Sequence, residues 1–403
     1  MKMPFNKPYL TGKELVYIED VVQKKTSKIF FGGLNELRAF AALGVVIHHI
    51  EQIKGMNGLG FQNRNLQFLI HNLGKASVDL FFVLSGFLIS FLLFQEKNNN
   101  NGHINISKFY LRRIYRIWPL YYFVMLLSFT VIPLLSKVPI FEFNQGLQVA
   151  INNSENYNFN TVSRYLLFLP QFANVVVGAS QSWSIGLEEQ FYLIMPLAIT
   201  IFRKKVFFSL VLLISIVFFC LTFNLNASFD FNSKIAYFFR VLGYFNFQML
   251  LIGVVGGYIY FYNKTKVENL TKSVFGYFIL ITLILLLSIF PMLENKINHF
   301  ILALLFLLLI LFTINNSNKF VYKNNVMSYL GKISYGIYMY HVFAIFLVYP
   351  LANKYFTGEY GDEIVFNLLL YFMVYIFTIL FSILSYEFFE SKFIKFKDLK
   401  FKV

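Results

Sequence analysis

The nearly apolar stretch ELRAFAALGVVIHHIEQ, residues 36–52, carries Arg38 near its start and the pair His48 and His49 near its end. In an α-helix His49 lies about 20° around the axis from Arg38, whereas His48 points about 80° away. Arg38 and His49 therefore share one helix face, about 16 Å apart along the axis. An imidazole on that face can act as a general base or as a nucleophile. The simpler alternative is that Arg38 anchors one end of the helix and His49 contacts water at the other.

Two carboxylates lie in other apolar segments. Asp79, in ASVDLFFVLSGFLISFLL, falls at the end of its segment that is expected to reach the depth of His49. A carboxylate there can accept the Nδ1 proton of an imidazole and fix its tautomer. Glu188 lies in QSWSIGLEEQFYLIMP, and Glu189 points about 100° away from it. A role in orienting the imidazole of His49 and a role as a helix cap are the two interpretations of Asp79.

Three arginines occur in FYLRRIYRIWPLYY at positions 112, 113 and 116. Helical spacing of three and four residues groups Arg112, Arg113 and Arg116 into a cluster. Guanidinium groups bind phosphates through forked hydrogen bonds, so the cluster predicts a site for a phosphorylated ligand. A basic membrane anchor flanked by an aromatic belt is the competing interpretation. Farther along, Ser334, Tyr338 and His341 form one polar stripe in LGKISYGIYMYHVF, which interhelical hydrogen bonds would also explain.

The rest of the chain must place these residues in a membrane. Of 403 residues 57% are hydrophobic and only 14% are charged, against about 25% in soluble domains, and mean hydropathy is +0.60. Apolar runs of about 20 residues, the length that crosses a bilayer, recur almost from end to end. The fold class is therefore all-α, with about ten transmembrane helices in one bundle. The predicted segments are 34–53, 76–94, 115–135, 183–202, 206–223, 241–262, 274–291, 297–314, 331–350 and 364–388.

The net charge is +15, and the basic residues that produce it are distributed according to the same segments. Lys and Arg concentrate before the first segment, in every second loop and in the C-terminal tail. By the positive-inside rule this pattern predicts that both termini are cytoplasmic, and it argues against a nucleic-acid partner. The predicted organisation is a cytoplasmic extension at 1–33, a transmembrane domain at 34–390 and a basic tail at 391–403.

Within the extension, PFNKPYLTGKEL resembles the opening of the sugar-nucleotide aminotransferases that use pyridoxal phosphate. The resemblance covers residues 1–25 only, and no soluble catalytic domain of that kind follows. We interpret it as a remnant or as an artefact of the assigned start site.

The polar residues of the transmembrane domain resemble the acyltransferase-3 family of membrane O-acyltransferases, which modify surface sugars. Arg38 and His49 match its Arg-X10-His motif, which disfavours His48. The further matches are VDLFFVLSGFLI at 78–89, RRxxRIxP at 112–119, WSLxxExxFY at 183–192, ISYxIYxxH at 333–341 and Y-x-F-x-E at 386–390. Ser391 and Lys392 stand where members often carry Arg-Pro or Lys-Pro, which weakens a role for Glu390.

The resemblance implies transfer of an acyl group, acetyl from cytoplasmic acetyl-CoA, to a hydroxyl of a carbohydrate such as lipopolysaccharide, capsule or exopolysaccharide, with the enzyme in the cytoplasmic (inner) membrane. Arg38 and the arginine cluster would hold acetyl-CoA, and a passage would lead its thioester to His49. The resemblance also implies that His49 acts as general base, with Asp79 or Glu188 orienting it, or as a nucleophile. No permanently bound cofactor or metal is expected. The remaining candidates, some of them oxyanion donors, are Ser85, Trp183, Tyr192, Tyr335, Tyr338 and His341. A transporter or flippase for a lipid-linked or acylated glycan is the alternative.

Overall fold

The structure, a computed structural model, describes residues 31–60, 64–139, 151–224, 247–289, 295–316, 325–356 and 363–401. Every regular element in these ranges is helical, as the apolar runs predict. The helices are α1 (Leu34–Met56), α2 (Arg64–Asn99), α3 (Ile106–Leu135), α4 (Phe159–Leu166), α5 (Trp183–Ile201), α6 (Lys204–Asn224), α7 (Gln248–Tyr262), α8 (Lys264–Leu270), α9 (Val274–Ile289), α10 (Asn295–Asn316), α11 (Asn325–Lys332), α12 (Ser334–Phe356), α13 (Glu363–Ser385) and α14 (Ser391–Phe401). A π-helical turn, Tyr386–Glu390, joins the last two.

Each of the ten predicted segments overlaps a helix in the part that the structure describes, but segment 331–350 crosses the break at Ile333 between α11 and α12. Within the described ranges, five helices are long and apolar enough to cross a bilayer: α2, α3, α10, α12 and the continuous stretch Val365–Phe396. The pair α8 and α9, bent by 79°, would make a sixth. The number of crossings and the cytoplasmic termini therefore stay predictions. The extension at residues 1–30 lies outside the described residues.

Close packing of α2 against α7 depends on glycine. A Cβ atom at Gly86 of α2 would collide with the carbonyl oxygen of Leu250, and one at Gly253 of α7 would collide with that of Val83. Glycine permits backbones to approach in this way. The contact fixes the orientation of α2, the helix that carries Ser85.

The turn between α2 and α3 sets the direction of the arginine cluster. Asn105 caps α3, its side chain accepting a hydrogen bond of 2.9 Å from the Lys108 backbone N–H. Glu96 near the end of α2 accepts a hydrogen bond of 2.9 Å from the Asn105 backbone N–H. A capped start of α3 held against α2 gives the following arginines a defined orientation.

Candidate active site

A cavity of about 310 Å³ lies between α1, α2, α3, α5, α11, α12 and the π-helical turn. Arg38, Arg113 and Arg116 all line this arginine cavity, so the structure brings together three arginines that the sequence places on two segments. Lys332, at the end of α11, adds a fourth cation. The cavity's acidic lining residues are Glu188 and Glu390, which leaves four cationic against two anionic side chains.

The three guanidinium groups are not consumed by ion pairs. In the ranges described, no carboxylate oxygen lies within 4.0 Å of Arg38, Arg113 or Arg116. Arg113 instead lies over the rings of Phe109 and Tyr192, at 5.6 and 5.5 Å from their centroids. A concave site with excess positive charge and available donors suits a phosphorylated ligand.

Arg112 does not belong to this cavity, contrary to the sequence prediction. Its Nη2 atom lies 3.0 Å from Glu96 Oε2, and the two side chains form an ion pair that joins α3 to α2. Arg112 and Arg113 differ by about 100° around the helix, so only one of the two can face the cavity. The role of Arg112 in the structure is to attach the two helices.

Glu188 lines the arginine cavity rather than contacting His49. Its two carboxylate oxygens accept hydrogen bonds from Ser85 Oγ at 3.0 Å and Tyr192 Oη at 2.7 Å. Glu189 points elsewhere and accepts a hydrogen bond of 3.0 Å from Trp118 Nε1, which agrees with the predicted separation of the two glutamates. The structure thus assembles Glu188, Ser85 and Tyr192 into one group beside the arginines.

His49 lines a second cavity, of about 460 Å³, formed by α1, α12 and the segment that leads into α5. Trp183 also lines this histidine cavity. Arg38 and His49 lie on the same continuous helix but open into different cavities. The single passage expected from the sequence is therefore divided in two.

The imidazole beside His49 is that of His341, whose ring centroid is 4.8 Å away. His49 Nδ1 lies 3.0 Å from the carbonyl oxygen of Val45, and His341 Nδ1 lies 2.6 Å from that of Tyr338. A carbonyl oxygen can only accept, so both neutral rings carry their proton on Nδ1 and keep a basic lone pair on Nε2. Nε2 of the buried His341 has no hydrogen-bond partner in the described part of the chain. The His48 ring also contacts His49, edge to face with centroids 5.0 Å apart, and lies 5.4 Å from the His71 ring.

Asp79 is paired with His299, and this corrects the expectation that it orients His49. Asp79 Oδ2 lies 2.7 Å from His299 Nδ1, which joins α2 to α10. His299 lies in a predicted segment, but nothing in the sequence indicates which of the chain's histidines reaches Asp79. Its pairing depends on how α10 packs against α2.

Hydrogen bonds close the boundary between the two cavities. The Tyr338 hydroxyl donates to the Gln181 carbonyl oxygen at 2.8 Å, and Ser184 Oγ lies 2.7 Å from the same hydroxyl. Tyr338 and Ser184 line the arginine cavity, whereas Gln181 lines the histidine cavity. We call these three residues the partition. They lie between the arginine cavity and the histidine cavity.

The candidate oxyanion donors are all engaged in hydrogen bonds. Ser85 donates to Glu188, Tyr338 donates to Gln181, and Tyr335 donates to the carbonyl oxygen of Ile117 at 2.9 Å. A role in stabilising an oxyanion would require one of these bonds to be exchanged. Their present role is to hold helices α2, α3, α5 and α12 around the arginine cavity.

Sequence reasoning missed two lining residues. Lys332 is an isolated lysine at the end of α11, with its Nζ 4.7 Å from the centroid of the Tyr386 ring, and an isolated lysine gave no specific signal in the sequence. Glu390 was given little weight, yet it is buried, lines the arginine cavity and accepts a hydrogen bond of 2.9 Å from Ser385 Oγ. The wider π-helical turn is what carries both Tyr386 and Glu390 to the cavity, and such turns frequently occur at functional sites.

The fold and site together define a multi-pass helical membrane protein with one cavity lined by cations and a second beside a pair of adjacent imidazoles. Comparison with known families agrees with this description. Residues 31–387 match the acyltransferase-3 family, described as an acyltransferase domain, and the chain belongs to that family. The chain is therefore a membrane-integral acyltransferase domain.

Two Staphylococcus aureus proteins illustrate the similarity. "Putative O-acetyltransferase SACOL0978" of strain COL is 27% identical over 388 residues, which cover 91% of this chain and 58% of that protein. "O-acetyltransferase OatA" of strain NCTC 8325 / PS 47 is 25% identical over 388 residues, covering 92% of this chain and 58% of the relative. The chain thus spans a little over half the length of these relatives. No solved structure matches the chain significantly.

Proposed function

We propose that the chain transfers an acyl group, acetyl from cytoplasmic acetyl-CoA, to a hydroxyl of a cell-surface carbohydrate, and that it acts in the cytoplasmic membrane. The observation that carries the proposal is the arrangement along α1. Arg38 opens into a cationic cavity at one end, and His49 opens into a second cavity about 16 Å farther along the helix. The family and the names of the relatives support acyl transfer.

The arginine cavity is assigned to the donor. Coenzyme A carries several phosphate charges, and Arg38, Arg113, Arg116 and Lys332 supply unpaired or weakly paired cations. Arginine binds phosphate in a forked geometry, and lysine binds it as a point charge. With the phosphates at the arginines, the extended pantetheine arm has the length to bring the thioester to His49 once the hydrogen bonds of the partition open.

His49 is assigned as the catalytic base. Its Nε2 lone pair accepts the hydroxyl proton while the hydroxyl oxygen attacks the thioester carbonyl carbon. The C–S bond then breaks, and the proton passes from Nε2 to the sulfur, giving the acetyl ester and free coenzyme A. In the alternative, Nε2 attacks the thioester first and the acyl group passes from the imidazole to the hydroxyl. Both routes produce the same products.

His341 is assigned as the partner of His49. It is fully buried, its ring lies 4.8 Å from that of His49, and its Nε2 carries a free lone pair. A second base at this distance can share the proton that His49 removes. The sequence predicted this role for Asp79 or Glu188, but neither carboxylate contacts His49 in the structure.

The test is complementation of a deletion strain. Base-labile acetate on surface glycan is measured by mass spectrometry after expression of wild type, His49→Ala or the control His103→Ala, which changes an exposed histidine in the turn between α2 and α3. Wild type and His103→Ala should restore acetate, and His49→Ala should lower it about a hundredfold or more at equal membrane abundance. Acetate restored by His49→Ala would refute the proposal. Loss of the glycan itself, not only of its acetate, would favour the transporter alternative.

A further inference from the structure

The lining of the histidine cavity carries information about the acceptor. Its polar side chains, apart from His49, are amides and hydroxyls: Gln52, Gln171, Ser180, Gln181 and Tyr165. Among the described lining residues there is no Lys, Arg, Asp or Glu, whereas the arginine cavity has six charged side chains. Two cavities on one helix thus have opposite electrostatic character.

The absence of charge in the described lining restricts what the cavity can bind. A carboxylate or phosphate placed there would lose water without gaining a counter-ion, which is strongly unfavourable. Hydroxyl groups donate and accept hydrogen bonds, and amide side chains do the same, so the two are complementary. The lining therefore favours an uncharged ligand that is rich in hydroxyls.

Gln181 provides an independent indication of a ligand. Its side chain is 2% exposed, and its Nε2 donates to the carbonyl oxygens of Gly178 at 2.8 Å and Met339 at 3.1 Å. These two bonds fix the amide, and its Oε1 has no partner within the described ranges. Gln171 repeats the pattern, because its Nε2 donates to Gln190 and its buried Oε1 is unpartnered. Two residues that line one cavity thus carry buried acceptors without a partner in the described ranges, and a ligand hydroxyl that reached either acceptor would supply the missing donor.

An aromatic surface completes the cavity. Trp183 is 37% exposed and lines the cavity, and its ring meets Phe82 edge to face with centroids 6.0 Å apart. The Phe82 contact holds the indole in place. A flat indole beside amide groups offers both an apolar surface for the C–H face of a sugar ring and acceptors for its hydroxyls.

We propose that the histidine cavity is the acceptor site and that it accepts a neutral sugar unit in preference to an acidic one. The hydroxyls of the bound unit donate to Gln181 and Gln171, its ring rests against Trp183, and one hydroxyl lies at His49. This inference rests on the proposed function, which supplies the donor and the reaction, but it concerns binding that can be measured without the donor.

The test compares two ligands that differ by one carboxylate, p-nitrophenyl glucoside and p-nitrophenyl glucuronide. Binding to the purified full chain in detergent is measured by thermal shift without acetyl-CoA, and acetyl transfer is measured separately with labelled acetyl-CoA. The glucoside should raise the melting temperature, and its affinity should be at least about tenfold higher than that of the glucuronide. No shift with the glucoside, or equal affinity for both, would overturn the inference.

A variant locates the binding. Gln52→Leu changes an exposed lining residue. It should lower the affinity for the glucoside severalfold without changing the melting temperature of the unliganded chain. An unchanged glucoside affinity in Gln52→Leu would place the ligand elsewhere. Acetyl transfer to both glycosides at equal rates would leave the proposed function standing and remove this inference. Selective glucoside binding with no acetyl transfer would support this inference and contradict the proposed function.

Discussion

His49 and His341 belong to helices far apart in the chain, yet their imidazole centroids lie 4.8 Å apart, and both rings have Nδ1 against a backbone carbonyl oxygen. Two neutral imidazoles so arranged present two bases side by side. No carboxylate is hydrogen-bonded to either ring in the described residues. The pair therefore differs from the familiar arrangement in which a carboxylate orients the catalytic histidine and stabilises its protonated form.

Replacing His341 tests whether the second ring takes part. His341→Asn keeps an N–H that can reach the Tyr338 carbonyl oxygen but removes the second base. We expect kcat for acetyl transfer to fall about tenfold to a hundredfold, with little change in the affinity for acetyl-CoA, because the change lies outside the arginine cavity. The measurement is steady-state transfer from labelled acetyl-CoA, with His103→Asn as the control. A kcat equal to wild type would remove His341 from the mechanism.

Replacing Arg116 should affect the binding of acetyl-CoA, whereas replacing Arg112 should affect stability. Arg116→Ala removes a cation from the cavity and should weaken acetyl-CoA binding by about tenfold, since a hydrogen bond to a charged group contributes about 1.5–3 kcal/mol. Arg112→Ala is the matched control, because Arg112 is paired with Glu96 outside the cavity. Its effect should appear in the melting temperature more than in the dissociation constant. Equal losses of affinity in both variants, measured by calorimetry, would contradict the assignment.

The partition should keep water away from the thioester. Tyr338→Ala removes the ring and the hydroxyl that bond to Gln181 and Ser184, and it should join the two cavities. We expect release of free coenzyme A in the absence of an acceptor to rise, and the fraction of acetyl delivered to an acceptor to fall. Ser184→Ala, which removes one hydrogen bond and leaves the ring, is the milder comparison. If Tyr338→Ala releases no more coenzyme A than wild type, the partition does not exclude water.

Helix packing at Gly86 can be tested apart from chemistry. Gly86→Ala places a Cβ against the Leu250 carbonyl oxygen and should destabilise the fold by about 1–3 kcal/mol. Gly55→Ala is the control, because no atom lies within 4 Å of the added Cβ there. That change should alter stability by less than about 1 kcal/mol, in the stabilising direction. Thermal denaturation in detergent distinguishes the two, and equal melting temperatures would argue against the close α2–α7 contact.

Much of this arrangement is readable from local sequence pattern. Apolar runs locate the helices, and helical periodicity places Arg38 and His49 on one face and separates Glu188 from Glu189. Periodicity cannot show which of Arg112 and Arg113 faces a cavity, because the answer depends on Glu96 in another helix. Nor can it pair Asp79 with His299 or His49 with His341, since those contacts arise from the packing of helices distant in the chain. The division of one expected passage into two cavities likewise depends on side chains from α5 and α12.

The five-residue turn Tyr386–Glu390 makes this part of the chain tolerant of a change in length. A π-turn holds one residue more than an α-turn, so deleting a residue there would let an uninterrupted α-helix form at little backbone cost. The helix downstream would keep nearly the same direction, because the shorter turn removes the residue that the wider turn accommodates. Ile394, which lines the arginine cavity from α14, would still face that cavity. The same deletion in the regular α-helix before the turn would instead rotate Ile394 by about 100°.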